Sequence, residues 1–460
     1  MTVKIYIVTE ILSRELLGNL LLAALLASRG HIAIILNQED TFSLSSGSIS
    51  GTTIFHAKSI HYSHQRIIQH TKLRDDGFLI TSQDQETLIV NRDVASRVSE
   101  RFCEENLNLV ERIYVWSDSE ADEISRQFPR HSPKIMVTGS PREDIWSKRF
   151  RSVAGTQSRK RKRILIVSNN DGANHRMRHW EQMLMIKSVT GPATDPSVFD
   201  HFVEDVFDGL KSQLFFSRLA LELADGFPEC DVIVQPKKNE ITESWVQTLI
   251  AVDKGDGTRE NLILETSRLL EESIHSSDLV INANSTAGIT ALIGEVPLIS
   301  IGPTFSLASE VGMQLEQGDD ILGAVGEALN DPEGFVNAYR TISRKTLGNR
   351  VRPPSATMAA EKIVEDLESL DSENGSSALT FRDMLLYLAP GSVRRFASAI
   401  KSLLTLKSPV RPFSEMVMTV SHAQVNDYLG RLYEGLGTNL NVKVSVAGGR
   451  NIIVSPRRNK

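Results

Sequence analysis

The stretch from Ser277 to Pro303, SDLVINANSTAGITALIGEVPLISIGP, constrains the fold more than any other part of the chain. Asp278 to Ile281 is a short apolar run with β-branched residues and predicts a buried strand. Asn282, Asn284, Ser285 and Thr286 follow at once, the polar residues that a helix N-cap needs. Ala287 to Ile293 predicts a short helix stopping near Gly294, and Pro297 to Ile301 a second apolar strand. Strand, polar turn, helix and strand form a βαβ unit, and such units build parallel sheets. The mouth of a strand-to-helix turn is where open α/β sheets bind ligands, and backbone N–H groups and hydroxyls there suit an anion. Asn284, Ser285 and Thr286 are therefore candidate ligands for a phosphate or diphosphate. Asn284 or Ser285 also suits an ordinary helix cap.

At 460 residues the chain needs two or three domains. Its net charge of -6 gives no global sign of a nucleic-acid partner. Two cysteines, Cys103 and Cys230, stand far apart without metal or redox spacing, which suits a reducing compartment. The apolar run Leu20 to Ala27 falls far short of a membrane span, and the N-terminus has no signal-peptide pattern. The expectation is a cytoplasmic protein, with contact at the inner face of the plasma membrane no more than peripheral.

Val3 to Val8, Arg14 to Ser28 and His31 to Leu36 read as strand, helix and strand, with Gly30 placed to end the helix. Glu10 and Arg14 lie where the first strand gives way to its helix, the ligand edge of such a domain, although charges there also serve the helix dipole. Thr52 to Phe55 predicts a strand, followed by Lys58 and by His61, His64 and His70 on a polar stretch. The histidine spacing fits no standard zinc pattern, and solvated histidines are expected. Asp84 and Glu86 follow a strand at Gly77 to Thr81, and either carboxylate could act as a general base. Arg112 to Val115 and Lys134 to Val137 complete this half. After the latter, Gly139 permits a close backbone approach and Arg142 could clamp a carboxylate or phosphate.

Arg151 to Arg163 breaks the pattern with a Gly-Thr-Gln-Ser run and five consecutive basic residues, and reads as a linker, solvated or touching anionic lipid headgroups. A second α/β half starts at Ile164 to Val167, with Ser168, Asn169 and Asn170 at the strand's end. Val198 to Leu223 predicts a long helix packed into the core. Asp231 to Val234 is a strand, and Lys237, Lys238 and Glu240 follow it. Lys237 suits a phosphate and Glu240 a pair of sugar hydroxyls. Thr357 to Leu370 predicts a helix, Asp371 to Ser377 a linker, and Leu379 onward a small α+β extension. In it, Phe381 to Leu388 and Val393 to Leu406 read as helices, and Asn441 to Val446 with Asn451 to Val454 as a hairpin. The domain reading is 1–150, a basic linker 151–163, 164–370, and an extension 378–460.

The chain resembles the bacterial surface carbohydrate biosynthesis proteins, a glycosyltransferase-like family of the GT-B fold related to capsule and teichoic-acid polymer enzymes. The resemblance covers about Val3 to Pro303. It rests on Arg14-Glu15-Leu16 and Arg29-Gly30-His31 in the first helix region, Lys58-Ser59, Asp84-Gln85-Glu86-Thr87, Thr138-Gly139-Ser140-Pro141-Arg142-Glu143-Asp144, Pro236 with Glu240, and Ser285-Thr286. Gln235 and Lys237 replace an arginine and a histidine of the family pattern, Lys238 replaces its second proline, and Thr290 replaces an acid. The resemblance implies two Rossmann-like α/β domains facing a cleft, the first (1–150) for an acceptor and the second (164–370) for a nucleotide sugar.

The expected activity is transfer of a sugar from a nucleotide-activated donor to a surface polysaccharide or lipopolysaccharide acceptor. Asp84 or Glu86 would be the base. Lys237, Glu240, Asn284, Ser285 and Thr286 would hold the donor. Glu10, Arg14, Lys58, Gly139, Arg142, Asn169 and Asn170 would line the site. Direct displacement would invert the anomeric centre; inversion and retention both stay open. No metal and no resident cofactor are expected, the nucleotide sugar being a co-substrate. The partners expected are that donor and a glycan or lipid-linked glycan, with a membrane or assembly-complex contact compatible. Two alternatives use the same architecture: a sugar-nucleotide epimerase, and a non-catalytic member of a polysaccharide assembly complex, motivated by Gln235, Lys238 and Thr290.

Overall fold

The computed structural model describes residues 2–42, 44, 52–61, 63–84, 93–154, 160–168, 170, 173–190, 197–237, 239–253, 255, 257–283, 285–302, 307–350, 357–370, 420–447 and 451–457. The chain forms two compact units, Met1–Val153 with Leu347–Lys460, and Ala154–Thr346. Both are α/β, each built on a mainly or wholly parallel sheet. The strands are β1 (Lys4–Thr9), β2 (Ile32–Asn37), β3 (Thr53–Ala57), β4 (Leu79–Gln83), β5 (Arg112–Val115) and β6 (Ile135–Val137). Then come β7 (Lys162–Val167), β8 (Cys230–Gln235), β9 (Leu262–Leu264), β10 (Leu279–Asn282), β11 (Leu298–Ile301), β12 (Met313–Leu315), β13 (Val442–Ala447) and β14 (Asn451–Pro456). The helices that matter for packing are α1 (Leu12–Ser28), α2 (His64–Asp75), α3 (Asp118–Gln127), α4 (Pro141–Trp146), α5 (Ser197–Gly226), α6 (Thr242–Val252), α7 (Ala287–Ile293), α8 (Ala359–Ser369) and α9 (His422–Leu436).

The first sheet runs β13-β14-β2-β1-β3-β4-β5-β6. Strands β1 to β6 are parallel in the flavodoxin-like order 2-1-3-4-5-6, which puts the switch point between β1 and β3. All six residues of β1 and of β2 are buried, as expected of parallel strands covered on both faces. Leucine and alanine fill α1, and Gly30, at φ 98°, ends it. The Gly30 and His31 N–H groups bond back to Ala27 and Leu26 in a Schellman turn.

The hairpin predicted near the C-terminus is present, and its β14 pairs antiparallel with β2, so it extends the first sheet. Helix α8 packs on α1 in the same unit. Both Asp144 carboxylate oxygens accept the N–H groups that start α8, from Ala359 and Ala360 at 3.0 and 2.9 Å. The sequence reading attached 357–370 to the second half. The helices read at Phe381 to Leu388 and Val393 to Leu406 lie outside the described residues.

The second sheet runs β12-β11-β10-β7-β8-β9, all parallel. Counted from β7, this is the dinucleotide-fold order 3-2-1-4-5-6, with its switch point between β7 and β10. The βαβ unit that opened the sequence reading forms β10, α7 and β11 as expected. Helix α5 is longer than expected and is not wholly core. Phe216, Leu219, Ala220 and Leu223 are buried, while Val203, Phe207, Leu210 and Leu214 are exposed. No helix among the described residues is long and apolar enough to cross a membrane.

Candidate functional site: two switch points

In the first unit, Glu10 follows β1 and Lys58 follows β3, so the parallel strand order brings them together at the switch point. The Lys58 ammonium pairs with Glu10 and lies 3.8 Å from Glu15. Glu15 is wholly buried, and its carboxylate also accepts the Glu10 N–H at 2.8 Å and the Arg14 guanidinium at 3.1 Å. A buried carboxylate is tolerated only with such partners. The charges predicted at this edge thus form one mutually compensated cluster.

Asp84 follows β4 and is ion-paired with Arg101, both nearly buried. Its backbone carbonyl accepts the Trp116 indole N–H at 2.7 Å. Beside it sits Glu120, at the start of α3, which accepts the Trp116 backbone N–H at 3.0 Å. Burial pushes the Glu120 carboxyl up to about 8, with the Asp84 charge adding to the shift. The sequence reading singled out neither Arg101 nor Glu120 for this site, because nothing local links Arg101 to a carboxylate seventeen positions earlier. Glu86 lies outside the described residues.

Gly139 has φ 78°, and its carbonyl accepts the Gln83 amide N–H at 2.6 Å, joining the ends of β4 and β6. Arg142 is buried, with its guanidinium 5.1 Å from the Trp146 ring centroid. Gly18 on α1 allows this close approach, since a Cβ there would stand 3.0 Å from the Arg142 backbone nitrogen. Arg142 therefore belongs to the α1–α4 packing and is no open clamp. Of the histidines read as solvated, His64 is exposed as expected and His70 is not. Ser63 caps α2, whose His70 is buried, and burial lowers its imidazole to about 4. His56 on β3 is likewise buried and lowered to about 4.

In the second unit, β7 and β10 pair with Val167 beside Asn282, so the turns after them are neighbours. Glu240 organises the first turn. It is 1% exposed. Its two oxygens accept the Ser168 hydroxyl, the Asn170 N–H at 2.8 Å and the Trp245 indole N–H from α6 at 2.7 Å. A short bridge between His175 and Glu240 ties the two loops together. Glu240 is thus occupied with holding the β7 turn in shape. Lys237 is exposed, and its backbone N–H reaches the Ser168 hydroxyl at 3.2 Å.

The β10 turn is held by Asn282, which accepts the Ser285 N–H at 3.2 Å and donates to the Ala308 carbonyl at 3.2 Å. Gly288 is the only residue that fits beneath, because a Cβ would fall 2.5 Å from that carbonyl. The Ser285 hydroxyl accepts the Ala287 N–H, and the Thr286 side chain caps nothing. Thr290 donates its hydroxyl to the Thr286 carbonyl. Asn169, Lys238 and Asn284 lie outside the described residues.

The feature that sequence reasoning did not find is a set of unfilled polar atoms. Asn170 is 1% exposed, and among the described residues neither its Oδ1 nor its Nδ2 has a hydrogen-bond partner. Gln235, at the end of adjacent β8, gives its Nε2 to the Arg268 carbonyl but leaves its buried Oε1 unpaired. Each such atom costs about 1–3 kcal/mol unless a partner arrives. These atoms, the Ser285 hydroxyl and the Thr286 hydroxyl belong to residues at the carboxyl ends of adjacent strands, where an α/β sheet of this order receives ligands.

No family model matches the chain, and no curated protein matches it. Among solved structures, the chain is similar to the UDP-GlcNAc 2-epimerase of Methanocaldococcus jannaschii, with 12% identity, TM-score 0.48, and coverage of 80% of this chain and 100% of that one. It is also similar to the UDP-GlcNAc 2-epimerase of Neisseria meningitidis bound to UDP-GlcNAc, with 13% identity, TM-score 0.44 and coverage of 80% and 100%. A glycosyltransferase from Rickettsia africae is similar at 10% identity, TM-score 0.41 and coverage of 80% and 98%. Epimerases and transferases both occur among these likenesses, which do not choose between the two activities.

Proposed function

We propose that the protein is a glycosyltransferase that moves a sugar from a nucleotide-activated donor to a glycan or lipid-linked glycan acceptor in bacterial surface polysaccharide or lipopolysaccharide assembly. The observation that carries the reading is the buried Asn170 amide at the switch point of the second sheet, unpaired among the described residues. A bound nucleotide sugar offers both acceptors and donors to such an amide. In this reading the Ser285 and Thr286 hydroxyls bind the diphosphate, with Asn284 and Asn169 nearby in sequence. Lys237 meets the charge that develops on the leaving phosphate. Glu240 acts through the β7 turn that it holds.

The acceptor belongs to the first unit, with Asp84 or Glu86 as the base. The acceptor oxygen attacks the anomeric carbon, its proton passes to the carboxylate, and the bond to the diphosphate oxygen breaks with the electron pair leaving on the nucleotide. The reading needs no metal, and turnover that depends on added manganese would count against that part of it. The family-like pattern of Lys58-Ser59, Thr138 to Asp144 and Ser285-Thr286 supports transfer in surface polymer assembly.

The test is a thermal-shift screen against nucleoside mono- and diphosphates and their sugar conjugates, since a ligand of the folded state must raise the melting temperature. The expected result is a shift with one nucleotide family that Ser285→Ala reduces. Incubation with that donor alone then separates transfer from epimerisation, because only an epimerase converts the donor without acceptor. No shift with any nucleotide at millimolar concentration contradicts the proposal and leaves a non-catalytic assembly partner in its place.

A further inference from the structure

Helix α5 carries a face that its own unit leaves uncovered. Val203, Phe207, Leu210 and Leu214 are exposed by 41%, 59%, 46% and 44%. Their spacing of four, three and four places them within about 60° of arc on the helix. The adjoining helix His179–Thr190 packs its His179 ring on the buried Phe202, and its own Trp180 and Leu184 are exposed. An apolar stripe of this kind on an otherwise polar surface marks an interaction site.

The charges beside the stripe say what covers it. One flank carries Asp200, Glu204, Lys211 and Arg218, all exposed, with signs minus, minus, plus, plus, and the exposed Glu222 follows beyond Arg218. Among the described residues these charges have only surface contacts, Lys211 with Asp208 at 3.2 Å and Glu204 with His201 at 3.6 Å. A second α5 laid antiparallel, with a two-fold axis near Asp208, faces Phe207 with Leu210 and Val203 with Leu214. The same arrangement sets Glu204 opposite Lys211 and Asp200 opposite Arg218, twice each. In a parallel two-fold pair this flank would lie on opposite sides of the seam in the two copies, and these ion pairs would not form. The two acids at one end of the flank also disfavour an anionic membrane.

We propose that this face of α5 is a homodimer interface in which two copies pair antiparallel through the Val203–Leu214 stripe, with the Glu204 and Lys211 charges setting the direction. An isologous contact of this kind closes at two subunits. The inference stands on the helix surface and is independent of the proposed activity.

Sedimentation equilibrium of the full chain tests it. The expected result is a concentration-dependent dimer. Phe207→Asp, on an exposed position, should leave a folded monomer. Lys211→Glu should weaken the dimer by about tenfold or more, since it replaces two attractive pairs with two repulsive ones. The double variant Glu204→Lys with Lys211→Glu should restore it, because the exchanged charges are again complementary. A chain that is monomeric at every concentration overturns the proposal. So does a dimer indifferent to Phe207→Asp, or a double variant no tighter than Lys211→Glu alone. Phe207-dependent binding of a monomer to phosphatidylglycerol vesicles would assign the face to a membrane instead.

Discussion

The two sheets place their switch points at equivalent edges, yet the chemistry there is opposite. The first, between β1 and β3, is a set of full charges that satisfy one another: Lys58 with Glu10 and with the buried Glu15. The second, between β7 and β10, holds one buried carboxylate, Glu240, hydrogen-bonded by the β7 turn, and beside it the Asn170 amide and the Gln235 oxygen are buried and, among the described residues, unpaired. A compensated charge cluster contributes to the fold as it stands. Unpaired buried amides are a cost that a polar ligand removes. In the proposed reading the first edge serves chiefly stability and the second serves binding.

The sharpest way to break this contrast is Lys58→Ala, which leaves the Glu15 carboxylate buried with one partner fewer. It should lower stability by about 3–5 kcal/mol in urea unfolding monitored by circular dichroism. Glu120→Gln should act in the other direction. With its carboxyl held near 8 in the folded state, the stability that Glu120 allows is full below about 4.5 and is lost as pH rises toward 8. The amide, which can still accept the Trp116 N–H, should raise stability by about 2 kcal/mol at pH 7.5 and change little at pH 4.5.

His56 and His70 give the first unit a further signature. Both are held near 4, so their contribution is full above about 6.5 and is lost as pH falls toward 4. Stability should drop by about 1 kcal/mol per histidine between pH 6.5 and 5.5, and His56→Gln should remove about half of that slope. The smallest effect on stability belongs to the second switch point. Asn170→Leu keeps the backbone bonds of the β7 turn and removes the unpaired amide, so the free protein should be unchanged or more stable by about 1 kcal/mol. A loss above that size would mean that the amide already has a partner.

The strands were legible in the sequence because parallel strands buried on both faces are continuous apolar runs, as in His31 to Leu36 and Pro297 to Ile301. The turn at Ser285-Thr286 was legible because strand, polar cluster and helix are adjacent. What was not legible depends on contacts distant in sequence. The hairpin at the C-terminus joins β2, some four hundred residues away, and α8 is anchored by Asp144. Glu240 read as an open ligand for sugar hydroxyls, but Trp245, one helical turn further on, and the β7 turn fill both its oxygens. Arg142 read as a clamp and is covered by Trp146 and α1. His70 read as solvated because its neighbours are polar, yet the helix periodicity turns it inward. The unpaired Asn170 atoms are a property of packing, and no residue pattern announces them.

The central claim is that the second switch point binds a nucleotide. The most direct test is isothermal titration of the nucleotide found by thermal shift into the wild-type chain and into Asn170→Leu, with both confirmed folded. Saturable binding to the wild type that weakens at least about tenfold in Asn170→Leu is the predicted result. Equal affinity in the two proteins would contradict it, and so would no binding to either.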